Sequence, residues 1–250
     1  MKKTIYLPSE TKNKLGIVER IVINDYLIIG STSGLKKINN EDSIGCFTNK
    51  GVIRICIADG HWGEKASSLI TRHWLNSELE FPNNSFESKQ ETKKIENKLY
   101  KKFGKPAMNE NKDFTPEASF VAVEISNGSI SIISYGDSRL LIANNGKLKF
   151  KQKCSNTWLG AFSYLGLRER VSVEKAVFFK KKKLAENDCI FLFTDGIDQC
   201  IYEKDTISFE KIAMLSKTNI KDIFDELFKE VFDYGAEDNA SLAVFKYSKK

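Results

Sequence analysis

Acidic residues beside glycine or asparagine recur at five places in this chain: Asn40-Glu41-Asp42, Asp59-Gly60-His61-Trp62-Gly63, Gly136-Asp137-Ser138-Arg139, Thr194-Asp195-Gly196 and Glu237-Asp238-Asn239. Taken singly, each is a turn signal, and a solvent-facing loop explains any one of them. Their placement says more. Asp59 and Asp195 each end an apolar run, Asp137 follows one and Asp238 precedes one. Strand ends can converge, and carboxylates gathered in one place repel each other unless some are protonated or a cation compensates them. All-oxygen ligation of this kind suits magnesium or manganese, not zinc.

Other chemistries fail on composition. Two histidines and no closely paired cysteines leave no zinc site of the usual kinds. No cysteine is followed six positions later by arginine, as a thiolate phosphatase loop requires, and no Gly-x-x-x-x-Gly-Lys-Ser/Thr loop is present for a nucleotide. A metal-bridged water acting as nucleophile is what remains for phosphate chemistry.

The elements that must position these carboxylates are mostly strands. Runs rich in β-branched and aromatic residues occupy 26–32, 43–48, 52–58, 119–125, 129–134, 139–143, 173–179, 189–194 and 240–247. Asn127-Gly128 and Asn145-Gly146 are type I′ turn dipeptides, so the strands flanking them are expected to pair antiparallel. Helical periodicity appears from Glu64 into the seventies, with Ala66, Leu69, Ile70 and Trp74 on one stripe. It returns over 219–233, where Ile223, Phe224, Leu227, Phe228, Val231 and Phe232 repeat at three and four. Residues 85–103 read as a charged, exposed helix. Antiparallel strands with separate helical blocks point to stacked sheets covered by helices, not to an alternating βαβ fold.

The 250 residues suit one domain with a sizeable core, and no linker or internal repeat interrupts them. Nothing at the N-terminus reads as a signal peptide and no apolar run is long enough to span a bilayer, so no membrane role is expected. Cys46, Cys56 and Cys189 fall inside apolar runs where a thiol acts as a small hydrophobe, and with Cys154 and Cys200 they make an odd number, which suits the reducing cytoplasm. The net charge of +6 includes a lysine run over 180–183, read here as a solvated loop; no aromatic-basic motif accompanies it, so no nucleic acid is expected as partner.

The ordered set Asn-Glu-Asp, Asp-Gly-His-x-Gly, Gly-Asp-Ser-Arg, Thr-Asp-Gly, Asp-Asn, spread over 30–247, resembles the metal-dependent protein phosphatases of type two C. The resemblance implies an α+β fold, a four-layer α-β-β-α sandwich of two antiparallel sheets flanked by helices. It implies one phosphatase domain over 1–250 with its motifs between 34 and 239, acting on phosphoserine or phosphothreonine in a protein substrate. Two manganese or magnesium ions are implied, with a third bound weakly. By the same resemblance Asp59 bridges both metals and Gly60 lends a carbonyl to one. Asp195 and Asp238 complete the other, Glu41 and Asp42 hold metal-bound waters, and Asp137 with Asp195 takes the third ion. Asn239 supports the site, and His61 stands at the position of a general acid to the leaving oxygen.

Three departures accompany the likeness. The phosphate-gripping arginine falls on Lys37, counted from Gly34, which offers charge without a bidentate fork. Trp62 follows His61 where the family has a glycine, and packing into the core is as good an account of its ring as substrate contact. Only 58 positions separate Asp137 from Asp195 (195 minus 137), so the flap carried there by bacterial members is cut short. His73 reads as a packing or surface histidine, and Arg139 as the residue that orients the Asp137 loop. Two alternatives compete with the protein phosphatase: a catalytically weak pseudophosphatase kept as a binding or regulatory module, favoured by Lys37 and opposed by the intact carboxylates, and a phosphatase of small phosphorylated metabolites.

Overall fold

The computed structural model describes residues 2–7, 15–104, 116–154, 164–166, 177–201, 204 and 206–249. Within them the strands are β1 (Lys3–Leu7), β2 (Glu19–Asn24), β3 (Leu27–Thr32), β4 (Ser43–Asn49), β5 (Val52–His61), β6 (Glu117–Ser126), β7 (Ser129–Tyr135), β8 (Arg139–Asn144), β9 (Lys147–Lys151), β10 (Phe178–Lys183), β11 (Cys189–Phe193) and β12 (Ala240–Lys246). They form two six-stranded antiparallel sheets, ordered β1-β4-β5-β6-β7-β10 and β2-β3-β12-β11-β8-β9. The helices are α1 (Lys65–Trp74), α2 (Ser85–Leu99), α3 (Phe209–Met214) and α4 (Ile220–Asp233). The expected four-layer sandwich is the observed one.

Side-chain alternation builds the layers. In β5, Ile53, Ile55 and Ile57 point between the sheets, while Cys56 and Ala58 face α1 and α2. In β11, Ile190 and Leu192 point between the sheets, and Cys189, Phe191 and Phe193 face α3 and α4. Both faces of the central strands are buried, so their sequences read as unbroken apolar runs.

On the outer face of the second sheet α4 starts at Asn219, whose side chain accepts from the Lys221 and Asp222 amides at 3.0 Å. Its buried stripe is Ile220, Ile223, Phe224, Leu227, Phe228 and Val231. A Cβ on Gly30 would collide with the Phe224 ring, so the glycine in β3 is what lets that ring press onto the sheet. Both Asn-Gly hairpins form as expected, with positive φ at each turn residue: +49° and +67° at Asn127 and Gly128, and +49° and +78° at Asn145 and Gly146.

Four expectations need correction. The lysine run 180–183 is not a loop: it lies in β10, an edge strand paired with β7 from Phe178↔Ser134 to Lys183↔Ser129, where lysines deter further pairing. The strand expected over 173–179 begins at Phe178, and residues 173–176 lie outside the described residues. Helix α2 is exposed on one side only, since Ser88, Thr92, Ile95 and Leu99 form a buried stripe against the first sheet. Strands β1, β2 and β9 and the short helix α3, five or six residues each, were not expected, because their brevity and lysine- or charge-rich sequences give little apolar signal. The shortened flap falls largely in 155–163 and 167–176, outside the described residues.

Because Phe224 is the ring that Gly30 accommodates, Phe224→Ala is expected to destabilise the fold by roughly 3–5 kcal/mol, the range for buried aromatic deletions. Urea unfolding measures it, and a change below about 1 kcal/mol would mean that α4 is not docked through this ring.

Candidate metal centre

The five acidic motifs meet at one end of the sandwich. Asp59 does not sit in a loop after β5, as its Asp-Gly sequence suggested. The strand runs on to His61, because β6 starts at Glu117 and pairs Asp59↔Ser119, Gly60↔Ala118 and His61↔Glu117. Alternation then puts Asp59 and His61 on the same face, with His61 Nε2 3.8 Å from Asp59 Oδ1. Gly60 is required by packing: a Cβ there would strike the Glu41 carbonyl. Gly196 is likewise pressed against the Asn239 carbonyl, which brings the Asp195 turn next to Asp238.

Hydrogen bonds fix the remaining groups. The Asn239 side chain accepts from the Glu41 amide at 2.8 Å and donates to the Ser33 and Asn39 carbonyls at 3.2 Å. Glu41 accepts from the Gly63 amide at 2.7 Å. Thr194 donates to Asp42 Oδ2 at 2.8 Å, and the Ser119 and Ser138 hydroxyls bond at 2.6 Å, so each pair ties one sheet to the other. Arg139 orients the Asp137 loop as expected: Nη1 donates to the Asp137 carbonyl while Nε donates to Asp198 Oδ2 at 2.8 Å.

The electrostatics are those of an under-compensated acidic cluster. Burial first, then the charges of Asp195, Asp42, Asp137 and Asp238, raise the Asp59 carboxyl well above the usual carboxylate range. Burial pushes Asp42 up to about 7, and burial with Asp137 and Asp238 pushes Asp195 up to about 8. Lys37 forms an ion pair with Asp238 and stands 3.9 Å from Glu41 Oε2. Burial works against its ammonium, but Asp238, Glu41 and Asp59 outweigh that and raise its pKa. Burial would lower the His61 pKa too, yet Glu117, 3.8 Å from Nδ1, with Asp137 and Asp195 raises it.

Among the described residues no three His, Cys, Asp or Glu side chains are drawn tightly enough together to enclose one ion. Two contacts help to hold the set apart. Lys37 holds Asp238, and Tyr164 donates to Asp137 Oδ2 at 3.0 Å. The donor set nonetheless fits a hard cation. It is all oxygen, and Asp137 Oδ1 is buried with no hydrogen-bond partner.

The expected site residues Lys37, Glu41, Asp42, Asp59, Gly60, His61, Asp137, Arg139, Asp195, Asp238 and Asn239 all lie in this one network. Trp62 does not pack in the core; it is 56% exposed, directly after His61, with φ +63°. His73 packs edge-on against Trp74, with its Nε2 2.8 Å from Glu91 Oε1, away from the cluster. Three residues were missed: Asp198, Glu117 and Tyr164, whose ring lies 4.1 Å from that of His61. Asp198 was findable three positions after Asp195 on the same turn. Glu117 and Tyr164 meet His61 only through strand pairing and the Ala118↔Leu165 bridge.

No family model matches the chain, and no curated protein matches it by sequence. Solved structures do match. One is a bacterial serine phosphatase, with a TM-score of 0.71 at 19% identity over 91% of this chain and 100% of that one. Another is the catalytic domain of the serine/threonine protein phosphatase PstP in complex with two manganese ions, with 0.69 at 16% identity over 93% and 99%. A third is the serine/threonine phosphatase Stp1 from Staphylococcus aureus, with 0.70 at 17% identity over 95% and 98%. The chain has the fold of these bacterial phosphatases.

In chelator, Asp42 and Asp195 bind protons in the folded protein at pH values where the unfolded chain has released them. That contribution is full below about pH 4 and is lost as pH rises through about 7 and 8. The metal-free Tm is therefore expected to climb as pH falls from 8.5 to 5.5, and manganese should flatten the trend. A metal-free Tm that falls over that interval, measured by circular dichroism, would contradict the clustering.

Proposed function

We propose that residues 1–250 form a metal-dependent serine/threonine protein phosphatase of type two C. The carrying observation is the convergence of five buried or half-buried aspartates at one end of this fold with too few cations to balance them. Two manganese or magnesium ions, when bound, supply an acidified water as nucleophile and neutralise charge on the phosphoryl oxygens. Asp59 and the Gly60 carbonyl would hold them together with Asp195 and Asp238, while Glu41 and Asp42 stand behind as hydrogen-bond acceptors. Asp137, with its orphaned Oδ1, would share a weaker third ion with Asp195.

The protein groups divide the rest of the work. His61, whose pKa Glu117, Asp137 and Asp195 raise against the lowering effect of burial, would donate a proton to the departing seryl or threonyl oxygen. Tyr164 covers the imidazole and restrains Asp137. Lys37 is counter-ion to Asp238; were that carboxylate to hold a metal, the ammonium would be left to meet the phosphate as a point charge. The same ion pair favours a second reading, a pseudophosphatase whose acidic site is neutralised internally.

Hydrolysis of p-nitrophenyl phosphate and of a phosphothreonine peptide separates the two. The enzyme is expected to turn over both with manganese and neither with chelator, and Asp59→Asn should abolish turnover without unfolding the chain. Equal rates in chelator, or near wild-type rates in Asp59→Asn, would sink the assignment. Lys37→Ala should lower kcat/KM by roughly ten- to a hundredfold, the usual cost of a lost charge-assisted hydrogen bond, whereas an unchanged kcat/KM would mean that Lys37 never meets phosphate.

A further inference from the structure

Two cavities run end to end beside α1. One, of about 450 Å³, opens next to Glu64 and is lined by Lys65, Leu69, Arg72, Lys102 and Phe103 among others. The next, of about 470 Å³, is lined by Tyr6, Leu69, Arg72 and Lys98 among others. They meet at Leu69 and Arg72 and make one groove. Lys65, Leu69 and Arg72 lie four and then three positions apart on α1, so all three face the groove.

The groove is net basic. Among the described residues none of Lys65, Arg72, Lys98 and Lys102 pairs with a carboxylate, and Glu64 is the one carboxylate in its lining. Elsewhere on α2, by contrast, Lys93 pairs with Glu96 at 2.5 Å and Lys94 with Glu91 at 2.7 Å. Two of the groove cations lie along aromatic rings, the Arg72 guanidinium 5.5 Å over Tyr6 and the Lys102 ammonium 5.2 Å over Phe103, and Lys98 Nζ stands 3.4 Å from His73 Nδ1. A surface of unpaired cations on an apolar floor is matched to an anionic chain that also has apolar side chains.

Its position says which chain. The groove begins at Glu64 and Lys65, directly after His61 at the end of β5 and the two residues Trp62 and Gly63, with Trp62 exposed at the junction. Lys65 to Arg72 spans about 10 Å of helix, the length of roughly three residues of extended polypeptide. We infer that this groove docks an acidic stretch of the phosphoprotein substrate, lying a few residues from the phosphorylated serine or threonine. The inference rests on the phosphatase reading above and assigns that enzyme a substrate class.

The test compares two phosphothreonine peptides, one flanked on both sides by aspartates and glutamates and one by serines and glycines, with p-nitrophenyl phosphate as reference. At low salt and saturating manganese, the acidic peptide is expected to have roughly tenfold higher kcat/KM, converging on the neutral one as salt is raised, since each exposed pair adds little. Arg72→Glu/Lys98→Glu should erase the preference and leave p-nitrophenyl phosphate turnover unchanged; Arg72→Ala/Lys98→Ala serves if the charge reversal fails to fold. Equal kcat/KM for the two peptides in the wild type, or a preference that survives in the variant, would overturn the docking. If no phosphoester is hydrolysed, the phosphatase reading fails, and fluorescence anisotropy of the labelled acidic peptide still decides whether the groove binds it. Tighter binding of polyuridylic acid, lost in the same variant, would overturn the assignment to a polypeptide.

Discussion

The mutual repulsion of Asp59, Asp42, Asp137, Asp195 and Asp238 is the constraint around which the rest of the structure is arranged. Carboxylates driven together out of water cost several kcal/mol unless something compensates them, and a whole domain is stable by only about 5–15 kcal/mol. Three kinds of compensation are visible. Protons are retained, as on Asp42, whose carboxyl is pushed up to about 7. Cations are imported: Lys37 to Asp238, and Arg139 to Asp198 and the Asp137 carbonyl. Directed hydrogen bonds from Thr194 and Tyr164 take up single oxygens. A divalent ion would replace the first of these and part of the second.

Holding such a cluster needs a rigid frame, and the three apolar layers supply one. The interior between the sheets and the two helix-covered faces are packed with Ile, Leu, Val and Phe. The cluster end is stitched across the sheets by Ser119–Ser138 and Thr194–Asp42. Without these bonds the two sheets could shear, and Asp59 of the first sheet would lose its register with Asp195 of the second. Gly60 and Gly196 allow the backbone contacts that close the gap.

How much of this was legible depended on whether the signal was local. The central strands announced themselves because both faces are apolar, and the Asn-Gly turns because their backbone demands those residues. The five acidic motifs were legible as a set because each adjoins a strand end. What was hidden is pairwise and distant in sequence. The extension of β5 through His61 depends on Glu117, 56 positions later (117 minus 61), and the Tyr164 contact depends on a two-residue bridge to β6. Lysines 180–183 misled because an edge strand and a loop present the same charges to water; only pairing with β7 tells them apart. Trp62 misled because its positive φ turns outward a ring that composition alone assigns to a core.

Lys37 is where the two functional readings divide. An arginine in the same place would face Asp238 and Glu41 together, and its planar fork would bridge two carboxylates tightly. The lysine contacts Asp238 closely but stands 3.9 Å from Glu41, so a single compact charge holds the site. One ammonium on a flexible stem is released at lower cost than a bidentate guanidinium, and its competitor for Asp238 would carry twice its charge. The lysine therefore compensates the cluster only in part, as the raised Asp42, Asp59 and Asp195 carboxyls show, and a divalent ion would displace it readily from Asp238.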